Sequence, residues 1–234
     1  SNTVTLSNGG DSAKITVTFY NNFAGGTWDG GVYSATQPLV LQGDTTSWDG
    51  LGAGIQVSGS LSPRDSYIYS KNFVLTGTGW VYYPHTSSPT FGINLIAING
   101  GQFISFNTFS PGIFLINCIS IGSSSYGFST FTVSPSYITC YNCVSIDAAT
   151  YGFVAQDRFN GYLKCYNCLS YGSGTADFAN LYSSQVLTGT NNASSDATAA
   201  SFFTNYMTGV TDAEFEDLAG DDWHLSAGSI LSIL

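Results

Sequence analysis

Three segments of the chain are copies of one another at a fixed spacing of 25 residues. The first reads Asn117-Cys118-Ile119-Ser120-Ile121-Gly122, followed by Tyr126-Gly127-Phe128. The second reads Asn142-Cys143-Val144-Ser145-Ile146-Asp147, followed by Tyr151-Gly152-Phe153. The third reads Asn167-Cys168-Leu169-Ser170-Tyr171-Gly172, followed by Ala176-Asp177-Phe178. A period in this range means stacked units, none of which can bury its own apolar surface alone. Within each unit the residues are β-branched, aromatic or small, and no 3.6-residue stripe appears. Twenty-five residues make about three short strands and their corners at ~3.3 Å per residue. The expectation is an all-β fold, a right-handed parallel β-helix with about 25 residues per coil and capped ends. Equivalent residues then stack in ladders. Asn117, Asn142 and Asn167 form one at a corner, where Asn tolerates the left-handed conformation. Phe128, Phe153 and Phe178 form another in the interior.

The coil pattern Asn-Cys-aliphatic-Ser-x-Gly, then Tyr-Gly-Phe, resembles that of the pectate-lyase-like superfamily of parallel β-helix proteins. The tail is similar to the end of β-helix proteins encoded by tailed bacteriophages. It reads Asn192-Ala193-Ser194-Ser195-Asp196-Ala197-Thr198, then Asp222-Trp223-His224-Leu225-Ser226-Ala227-Gly228-Ser229. The resemblance covers roughly residues 90–234. It implies a solenoid closed by its tail and a virion component made in the host cytoplasm. A secreted or cell-surface location is the alternative.

The chain of 234 residues reads as a single β-helix domain. Residues 1–65 are an N-terminal cap and irregular first coils, 66–190 the regular coils, and 191–234 a capping tail. Ile15–Phe19 and Leu39–Leu41 read as early strands, as do residues 3–6. Thr27-Trp28-Asp29-Gly30 and Ser47-Trp48-Asp49-Gly50 read as turns buttressed by tryptophan. Thr211-Asp212-Ala213-Glu214 matches a capping box, which predicts a short helical turn over 212–218.

Only 9% of the residues are charged, and none between Asn72 and Ile146 is Asp, Glu, Lys or Arg. The surface must therefore be made of hydroxyl, amide and aromatic groups. The net charge is −10. Its five basic residues, Lys14, Arg64, Lys71, Arg158 and Lys164, are scattered, so a nucleic-acid partner is excluded. No apolar run is long enough to span a membrane.

Cys140-x2-Cys143 and Cys165-x2-Cys168 approach the spacing of a four-cysteine zinc site. The repeat accounts for them more simply. Cys140 and Cys165 are one ladder position, and Cys118, Cys143 and Cys168 another. Parallel coils ~4.8 Å apart hold Cβ atoms slightly too far apart for a disulfide. Reduced, metal-free thiols and no cofactor are expected. Two orientations of the repeat strand remain open. If the cysteines face inward, Ile119, Val144 and Leu169, with Ile121, Ile146 and Tyr171, form an outward apolar stripe and a candidate interface. If the aliphatics face inward, there is none.

A polysaccharide lyase or hydrolase needs clustered ionisable groups. The solenoid offers Asp147, Asp157, Arg158, Lys164 and Asp177, with Lys164 stacked on Thr139, and no two carboxylates share a ladder. Asp221 and Asp222 lie beside His224 in the tail, where the closing motif explains them. His85 is isolated in an uncharged loop. Asn192-Ala193-Ser194 is a glycosylation sequon. Tyr126, Tyr151 and Tyr171 could stack on sugars, although packing explains them as well. The expectation is a non-enzymatic virion structural protein: capsid decoration, fibre or another surface component. Its partners would be other virion proteins or further copies of itself, with surface glycan as a further candidate. The alternatives are a polysaccharide-active enzyme or depolymerase, and a secreted adhesin or glycan-binding module.

Overall fold

The computed structural model describes residues 15–28, 34, 36, 38–46, 48, 54–64, 67–84, 89–98, 100–105, 112–130, 136–156, 161–217, 222–226 and 229. The chain is a parallel β-solenoid of about six turns, with coils about 24 residues apart. Ile113–Ile116, Tyr137–Tyr141 and Tyr162–Tyr166 stack as one leg of successive coils. Ile119–Ile121, Val144–Ile146 and Leu169–Tyr171 stack as the second. Tyr126–Thr130, Tyr151–Ala155 and Ala176–Asn180 stack as the third. Longer strands, Ile68–Leu75, Thr90–Ala97 and Val186–Ser194, round the first corner without a break. They join the first two legs into one 13-stranded sheet, while the third leg belongs to a sheet of seven strands.

That first corner is an asparagine ladder. Asn72, Asn94, Asn117, Asn142, Asn167 and Asn191 all have positive φ, between 51° and 57°. Each side-chain amide from Asn94 onward donates to the Oδ1 of the asparagine in the coil before, at 3.0–3.3 Å. The backbone needs the left-handed conformation, which Asn accepts at low cost, and the stacked amides satisfy one another.

The repeat strand faces its cysteines inward. Cys118, Cys143 and Cys168 are buried with Ser120, Ser145 and Ser170. Ile119, Val144 and Leu169 point out, each half-buried. The sulfurs donate to main-chain carbonyls, as Cys143 Sγ does to Leu115 O at 3.4 Å. From the third leg the interior receives Phe103, Phe128, Phe153 and Phe178, stacked at 4.9, 4.6 and 5.2 Å. Burying each ring contributes about 1.5–3 kcal/mol.

Both ends of the apolar interior are closed by aromatic edges. Phe203 meets Phe178 edge-on, 4.7 Å away at 83°. At the other end Phe19 and Phe23 stack on each other and both meet Phe73 edge-on. A ring turned through a right angle cannot continue the stack. The C-terminal closure follows the short helix Ala199–Phe202 and leads into Thr204–Thr208, which pairs parallel with Val186–Ser194.

The early strands form as the sequence indicates, at Ile15–Phe19 and Leu39–Gly43, and pair in parallel with each other. The helical turn expected over 212–218 is shorter. A 3-10 turn covers Asp212–Glu214, Thr211 makes no side-chain cap, and Phe215–Asp217 is already strand. Phe215 is buried against the outer apolar stripe, and that burial draws the segment into extended form. Trp48 packs against Gly54: a Cβ there would lie 2.8 Å from its ring. Residues 3–6, the Asp-Gly turns at 29–30 and 49–50, His85, Asp157, Arg158, Asp221 and the side chains of Asp222 and His224 lie outside the described residues.

Candidate functional site

Because side chains alternate along a strand, the first leg has an outward face as regular as its inward one. Its middle outward ladder runs Tyr69, Phe91, Phe114, Thr139, Lys164, Thr188. Tyr69 and Phe91 stack at 4.3 Å, and Phe91 and Phe114 at 5.2 Å. On one side stand Tyr137 and Tyr162, stacked at 5.0 Å and 5°. On the other stand Tyr141 and Tyr166, stacked at 5.1 Å and 14°.

Phe114 ends the ring stack because its next rung is threonine. The small Thr139 side chain leaves space in front of the Phe114 ring, and Lys164 stands on the far side. The result is an open groove of about 190 Å³. Its floor is Thr139, its walls are the tyrosine pairs, and its ends are Phe114 and Lys164. The tyrosine columns are four residues apart along the strand, about 13 Å. Lys164 is exposed and has no hydrogen bond or ion pair with any described residue. Among the described residues on these outward rungs there is no carboxylate. Lys71, one column over, lies 5.8 Å from the Tyr69 ring.

The residues singled out from the sequence are distributed differently. Tyr126 and Tyr151 stack on each other at 5.9 Å at the start of the third leg. Tyr171 packs edge-on against Phe215 and donates its hydroxyl to Asp212. The outward stripe is consumed at its C-terminal end by the chain itself. Leu169 and Tyr171, together with Met207, pack against the cluster of Ala193, Val210 and Phe215, and Ile146 is fully buried. Ile119, Ile121 and Val144 remain half-buried.

Of the solenoid's ionisable residues singled out from the sequence, the described ones, Lys164, Asp147 and Asp177, are not gathered. Lys164 is on the first leg, Asp147 at the corner after the second, and Asp177 buried on the third. Asp147 stands at positive φ in a corner column with Gly122 and Gly172. Partial burial and the nearby Asp212 carboxylate raise its pKa above the ordinary value. Asp177 is buried and fully engaged: it accepts from Ser170 and Ser173 through one oxygen, and from Ser195 and Asp196 through the other.

All five cysteines are free and buried. Burial pushes the Cys143 and Cys165 thiols up, whereas at Cys140 and Cys168 burial is outweighed by hydrogen bonds from Cys143 and Cys165, which bring those thiols down. Among the described residues no group of three or more His, Cys, Asp or Glu is placed to hold a metal ion. Asn192 of the sequon is buried. It occupies the cysteine column one coil on, accepting from Cys168 N and donating to Cys165 O, both at 2.9 Å. Its amide is spent inside the fold. No helix among the described residues is long and apolar enough to cross a membrane.

The groove was missed in the sequence although its signal was present. Tyr137-Ile138-Thr139-Cys140-Tyr141 and Tyr162-Leu163-Lys164-Cys165-Tyr166 are one repeat apart, and each sets two tyrosines of one strand face around a central residue. Comparison of the chain with protein-family models, curated proteins and solved structures returns no match.

Proposed function

We propose that the protein is a non-catalytic structural component of a tailed-phage virion, displayed at the particle surface in repeated copies. The observation that carries this reading is the long outward face of the first leg. There the described outward rungs are aromatic, aliphatic, hydroxyl and amide, with Lys71 and Lys164 as the only charges among them. Such a face suits contact with another surface and needs few ion pairs. The aromatic plugs at both ends and the laddered corner suit a rigid, protease-resistant rod. The phage assignment rests on the resemblance of the repeat and of the tail. Mass spectrometry of purified particles is the test: the chain should be present in many copies and stay bound at high salt. Its absence from particles, or release at about 0.5 M salt, where the screening length is roughly 4 Å, overturns the reading. So does release of unsaturated or reducing ends from a polysaccharide that is lost in Lys164→Ala or Asp147→Ala.

The tyrosine-walled groove favours a second reading, carbohydrate recognition by the same surface. An exposed ring face with flanking hydroxyls is the chemistry on which a sugar can lie.

A further inference from the structure

We infer that the groove of Phe114, Thr139 and Lys164 binds an acidic sugar, a pyranose carrying a carboxylate. This rests on the carbohydrate-recognition reading and names its ligand.

The shape argues for one ring in the groove. Phe114 is stacked face to face on Phe91 at an interplanar angle of 14°. Its other face therefore looks along the solenoid axis into the space above Thr139. Pockets for drug-sized ligands hold roughly 300–1,000 Å³, so 190 Å³ suits a single sugar unit of an open chain. A pyranose has an apolar face of C–H bonds, which lie against the negative face of an aromatic ring. Its hydroxyls then point sideways toward the two tyrosine columns. Thr139 supplies a hydroxyl at the floor.

The charge argues for an anion. The protein carries −10 overall, yet Lys71 and Lys164 lie on this strip with no described carboxylate on its outward rungs. Lys164 is exposed, unpaired among the described residues and at the end of the groove opposite Phe114. A ring seated on Phe114 and lying over Thr139 directs its far substituents at that ammonium. A carboxylate there gains a charge-assisted hydrogen bond. A neutral sugar gains only the ring contact.

The test uses a glucuronate-containing tetrasaccharide and its carboxyl-reduced counterpart, which keeps the shape and loses the charge. Calorimetric or NMR titration of the full chain should give binding roughly tenfold tighter for the acidic form, with the preference weakened by salt. Lys164→Gln should erase the preference while leaving the residual neutral affinity. Thr139→Phe extends the Phe91–Phe114 stack into the groove and should abolish binding of both. Circular dichroism checks the fold, and Tyr141→Ser, at an exposed position, is the second variant if the first misfolds. Equal binding of the two sugars in the unmodified chain overturns the acidic-sugar inference and leaves sugar recognition standing. Binding of neither overturns both. Binding that survives Thr139→Phe and Tyr141→Ser places the sugar elsewhere and overturns the site.

Discussion

The Asp177 carboxylate holds Ser195 by both its backbone N–H and its hydroxyl, each at 2.7 Å. Asp177 stands where the two preceding coils have Gly127 and Gly152. In those coils glycine is required, because a Cβ at Gly127 would lie 2.2 Å from Ser145 Oγ and one at Gly152 1.8 Å from Ser170 Oγ. In the last coil the aspartate accepts from Ser170 instead and turns its other oxygen to the tail. The departure from the repeat is thus the clamp that ends it.

Asp177→Gly restores the repeat and removes the clamp. Leaving the tail amides without their acceptor should cost about 3 kcal/mol, read as a lower midpoint in urea. An unchanged midpoint would show that the tail is held by its apolar contacts alone.

Gly127→Ala should cost about 1–3 kcal/mol by overpacking. Ser145→Ala removes the nearest clash and loses little, since Ser145 Oγ has no hydrogen-bond partner among the described residues. The double variant should recover part of the loss, because Ser145 Cβ and the Gly152 carbonyl stay close. A double-mutant cycle with coupling below about 0.5 kcal/mol would contradict the contact.

Asn142→Ala removes a rung from the amide ladder and leaves a Cβ residue at φ 52°. A loss of about 2 kcal/mol is expected from strain and hydrogen bonding together. Asn142→Gly should cost less, since glycine relieves the backbone term but not the ladder. Thermal unfolding of both variants tests the order.

The raised pKa of Asp147 makes a pH prediction. A carboxyl whose folded pKa lies above its unfolded value holds its proton more tightly when folded. Stability therefore falls as pH rises through the carboxylate range into the raised folded value, and the penalty is complete above it. Asp147→Asn should raise the melting temperature at pH 7, leave it unchanged below the carboxylate range, and gain less in high salt. Asparagine also suits the positive φ there. A gain that is the same at all pH values would assign the effect to packing.

The five buried thiols should be unreactive toward a thiol reagent in the native protein and all react after denaturation. Fast native labelling would place at least one of them at the surface.

The sequence alone determined the solenoid, because parallel in-register stacking places equivalent residues on one another. Asn117, Asn142 and Asn167 could thus be read as one ladder from their spacing. Asn72, Asn94 and Asn191 belong to it too, but coil length drifts there and the fixed spacing fails. The orientation of the repeat strand was beyond the sequence. Cys118-Ile119-Ser120-Ile121 alternates between two sets that both suit burial, and only closure of the coil opposite Phe128 decides which faces in. Tertiary structure likewise decided that Leu169 and Tyr171 pack against the cluster of Ala193, Val210 and Phe215, a contact between segments far apart in the chain. It also decided the groove: Thr139 is an ordinary strand residue until stacking sets it between Phe114 and Lys164, where its small side chain leaves the space.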